Sequence, residues 1–546
     1  MKESKKNTDQ LNAVRNKYGK NYSSEKLNLL KALNIEQLKD SKGLHSLHST
    51  LLFLLAYPDN KVIYKLAFQT LKKLQNLLAA NEKIRTTVYN SGITQTNLCA
   101  SFSFEIVKWM RKNFPDDIRL SDTEANDGQI SSILSVVMPK VESEILQDGN
   151  SDWKTWLMHS SANEEELLDR IIAVFDQTNI RPEVKDELWA ALGLNVEILF
   201  SKHNCLPASV VDLFYHRSLI SKKEILLQPF VKPKRIHLNK SEAEQVVAVS
   251  RIILMQQLRE IDPITFTAAE LVSYYQLDRG LSIALMSMVT ERRHPIDSYI
   301  GYVAFKNGLP VAYAGSWILF DSARIGLNVF PEYRGGESAW VFQQVLNLHR
   351  QVYKLNRFTV DPYQLGKDNA DGIQSGAFWI YYKAGFRPLN TLLKQIAQAE
   401  MDKIKTNPAY RTAANILKKL AESRMELVLN KKSVGFDATD CSRVYAEIVS
   451  KQFAGNRKTA ELFSMRKMIS RLQIKNFNEA QIHYVATNWA VLLFNKKTEL
   501  QMHSGIKKKL KNILELKANG SEENYIIALQ KFEELKKYMK LLTENT

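Results

Sequence analysis

The residues best suited to chemistry lie in one run, Val329-Phe330-Pro331-Glu332-Tyr333-Arg334-Gly335-Gly336-Glu337-Ser338-Ala339. A strand-like segment precedes it and an amphipathic helix pattern follows. Glycines let a backbone approach a phosphate with no Cβ in the way. The first N–H groups of the following helix have no intrahelical partner and point at whatever anion sits there. Backbone amides from Arg334 through Gly335, Gly336, Ser338 and Ala339 would therefore cradle a pyrophosphate, and the Arg334 side chain would add charge.

Other constellations carry less. His45 and His48, at i and i+3, share a helix face, but no further ligands are spaced to complete a metal site. No metal is expected. The loop Gly366-Lys367-Asp368-Asn369-Ala370-Asp371-Gly372 is polar and bounded by glycines, yet it lacks the terminal Glu of a calcium loop and reads as a flexible lid. Cys99, Cys205 and Cys441 stand far apart and form no CxxC pair. They read as reduced thiols of a cytoplasmic protein.

The elements that must position these residues follow from periodicity. At 546 residues the chain exceeds one core, and 45% apolar with 24% charged residues is ordinary globular composition. No apolar run is long enough to span a bilayer, and the start of the chain carries no apolar leader segment. The formal net charge of +17 favours anionic partners. It is spread along the chain with no aromatic-interleaved basic motif, so nucleic acid is not the expected partner.

Three regions are expected: a helical one over 1–235, a mixed one over 236–395 and a helical one over 396–546. In the first, Leu44, Leu47, Leu51, Leu54 and Leu55 repeat at helical spacing. Ser161-Ala162-Asn163-Glu164 reads as a capping box, and Pro182 suits the first turn of another helix. In the second, helices are expected over 241–260 and 268–288. Strands follow over 298–305, 311–319 and 323–330, with Asn307-Gly308 as a hairpin turn. A helix over 338–354, a strand over 357–360, a helix over 374–383 and a strand from 386 complete the order β-β-β-α-β-α-β.

At this point the residues resemble a known superfamily, the GNAT N-acetyltransferases. Val329-x-Pro331-x-Tyr333-Arg334-Gly335 matches its V-x-P-x-Y-R-G at the end of a strand. Ala377-x-x-x-Tyr381-x-Lys383-x-Gly385-Phe386 matches its A-x-x-x-Y-x-K-x-G-F. The resemblance covers 298–389 and neither flank, so the expected fold class is α/β, a mixed-sheet GNAT-like domain between two mostly helical regions.

The resemblance implies acetyl-CoA, or another acyl-CoA, as co-substrate. It places Val329, Arg334, Gly335, Gly336, Ser338, Ala339 and Gln374 at the cofactor, with Gln374 standing where the family often has Asn. Tyr381 aligns with the tyrosine that protonates the departing thiolate. For a general base, Asp361 just after a strand is the first choice and Glu332 the second; Asn328 can orient a water. The acceptor would be an amine on a small molecule or a protein. No membrane partner is implied and no oligomeric state is set.

One departure stands out. Glu337 occupies the middle glycine position of the family's R-G-x-G-x-G/A, where a carboxylate would repel a pyrophosphate. It is expected to point outward as a first-turn residue favourable to the helix dipole. Two other readings stay open. One is a non-catalytic GNAT-like binding or regulatory protein. The other is a transferase of similar fold that takes its donor from aminoacyl-tRNA.

Overall fold

The computed structural model describes residues 2–93, 95–147, 152–158, 164–199, 213–220, 232–407, 409–431, 433, 435–477 and 479–544. Among the described residues, thirteen strands form two sheets. The first is antiparallel, with β1 (Asn97–Ser101), β3 (Leu194–Leu199) and β2 (Ile118–Thr123) side by side in that order. The second holds β4 (Lys234–Ile236), β5 (Val272–Gln276), β6 (Leu281–Ser287), β7 (Ser298–Lys306), β8 (Leu309–Leu319), β9 (Ser322–Ile325), β10 (Asn328–Val329), β11 (Arg357–Val360), β12 (Arg387–Pro388) and β13 (Met425–Val428). Its order is β12-β13-β11-β9-β8-β7-β6-β5-β4, with β10 paired to β8. Pairing is antiparallel except between β11 and β9. The class is therefore mixed α/β, as expected.

Several elements differ from the sequence reading. The expected helix over 268–288 is a hairpin, β5 and β6. Arg279 and Gly280 both have positive φ (59° and 69°), which makes a tight two-strand turn between them. Its Val-, Tyr- and Ile-containing arms suit strands. The first region is not wholly helical, because β1 to β3 lie within it. The C-terminal region is not wholly helical either, since β13 inserts between β11 and β12. The expected helix over 374–383 is two, Ala370–Ser375 and Ala377–Lys383, divided at Gly376 (φ 65°). The helix expected over 241–260 is Lys240–Gln256, started by a capping box of Asn239 with Glu242. Residues 161–163 of the proposed box at 161–164 lie outside the described residues, as does Cys205. Cys99 and Cys441 are unpaired thiols.

Two cores result. Phe104, Phe175, Trp153 and Trp189 centre one, over the three-stranded sheet. The other runs from the N-terminal helices through the large sheet to the C-terminal helices. The helix Ser338–Tyr353 lies on one face of the large sheet and buries Trp340, Val341, Phe342, Val345 and Leu348. Each such side chain contributes about 1.5–3 kcal/mol. The C-terminal helices are tied to the loop before β7 by buried polar contacts. Lys517 Nζ lies 2.7 Å from Glu522 and 2.8 Å from the Asp297 carbonyl, and Arg293 donates to the Gly520 carbonyl at 2.7 Å. No helix among the described residues is long and apolar enough to cross a membrane.

Three buried histidines give a pH dependence. Burial lowers His48 and His349 to about 4, and burial together with the Lys306 charge lowers His216 to about 3. Their unfolded values are near 6.5. Between the two values the unfolded chain binds more protons, so stability is full above pH 6.5 and falls on acidification toward pH 4. Urea midpoints at pH 7, 5.5 and 4.5 are expected to decline in that order.

Candidate functional site

The site begins where two parallel strands part. β11 pairs with β9 only over Arg357–Thr359 and Ser322–Arg324. Beyond Arg324 the chain leaves β11 at Gly326-Leu327 and continues as β10, whose partner is β8. A gap therefore opens between β10 and β11. The Leu327 amide at its edge donates to the Tyr381 hydroxyl at 3.2 Å, and that hydroxyl donates to Gln364 Oε1 at 3.3 Å. Tyr302 reaches the Gly326 carbonyl from the same side. Tyr381 comes from the helix Ala377–Lys383 and packs edge-on against Phe342. Burial pushes its hydroxyl well above the ordinary phenol value, so it stays protonated.

The glycine loop follows β10. Pro331–Tyr333 form a single 3-10 turn, and the Gly336 amide closes back on the Tyr333 carbonyl at 3.2 Å. Gly335 has φ +87°, a conformation that glycine adopts without a Cβ penalty. The helix starts at Ser338 with Glu337 as the cap residue. The amides of Ser338 and Ala339, both half-buried, find no acceptor among the described residues. They belong to the first turn of the helix, whose N–H groups have no intrahelical partner. Arg334 is exposed, faces Asp371 with Nη1 2.9 Å from its carboxylate, and has its carbonyl capped by Arg15 at 3.2 Å. Asp371 thus fastens the polar 366–372 segment to the loop, in place of the free lid expected there.

Glu337 does not point outward. Its carboxylate turns inward, and the side chain is 0% exposed. Lys306 Nζ lies 2.9 Å away, Arg279 Nε 3.1 Å and the Ile220 amide 3.0 Å. Burial would raise its pKa, but Lys306 and Arg279 hold it below the ordinary carboxylate value. Burial in turn pulls Lys306 down to about 8 against the attraction of Glu337. The physical reason for the correction is charge pairing: a buried lysine needs a counter-ion, and Glu337 supplies it. The carboxylate is therefore directed away from the Ser338 and Ala339 amides. On the same side the Tyr57 ring lies against Gly336, where an added Cβ would come within 2.7 Å of it. The Glu337 backbone also hydrogen-bonds to the Tyr57 hydroxyl.

The other face of the sheet carries the acids. Asp361 follows β11 and lies 3.3 Å from Arg324 Nε and 3.0 Å from Arg424 Nε. Arg424 also reaches Asp437 at 3.1 Å. Arg324 lies over the Trp317 ring, which stacks on Tyr299 at 4.2 Å between centroids. Both oxygens of Asp361 thus face guanidinium groups. Glu332 is elsewhere, beside Gln257 at 3.5 Å and near Arg15, with burial raising its pKa. Val329 and Asn328 form β10, and Gln374 is exposed on its short helix.

The structure thus sets Tyr381 and the Leu327 amide at the point where β10 departs from β11, with the glycine loop following β10. It sets Asp361 on the opposite face and Glu332 apart. Sequence reasoning missed Gln364, the Leu327 amide, the Arg324–Arg424 clamp and the partners of Glu337. None has a local signature: each depends on residues brought together across the chain. Among the described residues no cluster of His, Cys, Asp and Glu could hold a metal ion. His45 is spent on the Ser41 carbonyl at 2.8 Å, and His48 is buried.

No family model, curated protein or solved structure matches this chain.

Proposed function

We propose that this protein is a GNAT-like acyltransferase that moves an acetyl or other acyl group from coenzyme A to an amine. One observation carries the reading: beyond the parallel pair β9–β11 the chain diverges at the Leu327 amide, which donates to a protonated tyrosine, Tyr381, next to a glycine loop that opens a helix. In this reading the Ser338 and Ala339 amides hold the pyrophosphate, and the pantetheine arm lies between β10 and β11. The Leu327 amide exchanges the Tyr381 hydroxyl for the thioester carbonyl when the substrate enters, and stabilises the oxyanion as the amine attacks. Tyr381 then gives its proton to the leaving thiolate. Asp361, clamped by two arginines, organises the acceptor side.

The packing of Tyr57 and Arg15 on the loop favours a second reading, a non-catalytic binding protein of the same fold, because part of the cradle is already satisfied from within. Calorimetric titration with acetyl-CoA separates the two. Micromolar binding is expected, and its loss in Arg334→Ala/Gly335→Ala would assign it to the loop. No binding to the folded wild-type protein would remove the acyltransferase reading.

A further inference from the structure

A largely enclosed cavity of about 60 Å³ lies against the turn that carries the glycine loop. Its walls are the helices Ser41–Ala56 and Lys61–Ala80, the end of the helix Lys240–Gln256, the start of β8 and the turn Pro331–Tyr333. Leu52, Leu71, Ile93, Val249, Ile253 and Leu309 give it an apolar surface. One water-sized position needs about 10–15 Å³, so the space takes about four to six heavy atoms.

One polar group on the lining is unmatched. The Glu332 carboxylate accepts from Gln257 Nε2 at 3.5 Å and from its own backbone amide, while its Oε2 is buried with no hydrogen-bond partner. A buried oxygen left that way is costly. Glu332 is the one acid among the described lining residues, and neither lysine nor arginine is among them. Arg15 and Arg334, whose charges reach it, are engaged elsewhere. Arg15 lies over the Phe53 ring at 4.8 Å and donates to the Arg334 carbonyl, and Arg334 faces Asp371. Their attraction only partly offsets burial, which raises the carboxyl's pKa. His48, lowered to about 4 by burial, carries no charge at pH 7. His45 turns Nδ1 to the Ser41 carbonyl, so its neutral ring offers Nε2 as a further acceptor.

These features define the missing partner. A carboxylate oxygen without a donor, a lining without a cation and apolar walls call for a positive donor group on a short apolar chain. Water would satisfy the oxygen but not the walls, since apolar cavities stay dry. A primary ammonium makes charge-assisted hydrogen bonds to a carboxylate, and its alkyl chain removes the walls from water. We propose that this cavity binds a short alkylammonium, with the ammonium on Glu332 Oε2 and the chain along Leu52, Val249 and Ile253. The site does not rest on the acyltransferase reading.

The test is calorimetric titration at fixed ionic strength with n-butylammonium and with neutral n-butanol. The proteins are the wild type, Glu332→Gln and Ile253→Phe. The wild type should bind n-butylammonium about tenfold or more tighter than n-butanol, the factor that a hydrogen bond to a charged group is worth. Glu332→Gln keeps the side-chain shape and should erase that preference. Ile253→Phe fills the space and should abolish binding of both probes. No binding of n-butylammonium to the wild type, the result for a cavity that holds water only, overturns the proposal. Equal binding of the two probes does so too, as does n-butylammonium binding indifferent to Glu332→Gln. The wild-type comparison needs no variant, so a substitution that fails to fold leaves the test intact. Acetyl-CoA titrated in parallel keeps the two ideas apart. Its failure to bind while n-butylammonium binds removes the acyltransferase alone, and the reverse removes only the ammonium site.

Discussion

Glu337→Gly is expected to destabilise the protein by about 3–5 kcal/mol, the cost of removing one partner from a buried ion pair. The substitution restores the family's glycine, so the local pattern alone would make it an improvement for cofactor binding. The structure gives the opposite result. Without the carboxylate, Lys306, at 0% side-chain exposure, loses the attraction that supports its charge and is left with the Arg279 carbonyl at 2.6 Å and the Tyr57 and Trp340 rings. Arg279 loses the Oε1 that accepts from both its Nε and Nη2, and the Ile220 amide loses the same acceptor. Urea unfolding should show a much lower midpoint for Glu337→Gly and a smaller loss for Glu337→Gln, which keeps the shape and one acceptor. An unchanged midpoint with tighter acetyl-CoA binding would mean that Glu337 faces the cradle after all.

The second large effect is on turnover. Tyr381→Phe should lower kcat by about 10²–10⁴, the range for loss of a positioned general acid, with acetyl-CoA affinity kept within a few-fold. Release of the coenzyme thiol in the presence of an amine acceptor reports it. A purely structural role would give a different signature. Loss of the hydroxyl strands the Leu327 amide and costs about 1–3 kcal/mol of stability, while kcat of the remaining folded protein would stay the same. The rate at saturating acyl-CoA, measured well below the melting temperature, separates these outcomes.

What the sequence makes legible is local. The glycine loop and the helix over 338–354 are visible because Pro331, Gly335 and the apolar stripe of the helix are short-range signals, whereas the strand expected over 323–330 is two, β9 and β10, parted at Gly326-Leu327. The hairpin Asn307-Gly308 is found for the same reason, with φ positive at both residues. The hairpin at 272–287 is missed because Leu271, Tyr274, Tyr275, Leu281 and Leu285 also fit a helical spacing, and only Asp278-Arg279-Gly280 marks the turn. β13 is missed because its four residues, Met425–Val428, sit between helices and gain strand character only by pairing with both β11 and β12.

The site divides along the same line. The loop glycines stand out in the local pattern and Tyr381 is singled out only by the family resemblance, whereas the orientation of Glu337 follows from neither. Its partners come from 31, 58 and 117 residues away. A carboxylate in this glycine loop looks like a defect until the lysine beneath it is known. Asp361 shows the same limit. The sequence offers it as a free strand-end acid, and Arg324 and Arg424 reach it only in the folded chain.

The central claim is that acyl-coenzyme A occupies the glycine loop and the gap between β10 and β11. Amide hydrogen exchange of the wild-type protein with and without acetyl-CoA tests it most directly. The account predicts added protection over 326–329 and 334–340, absent in Arg334→Ala/Gly335→Ala. Protection confined to other segments, or no change at saturating acetyl-CoA, would contradict it.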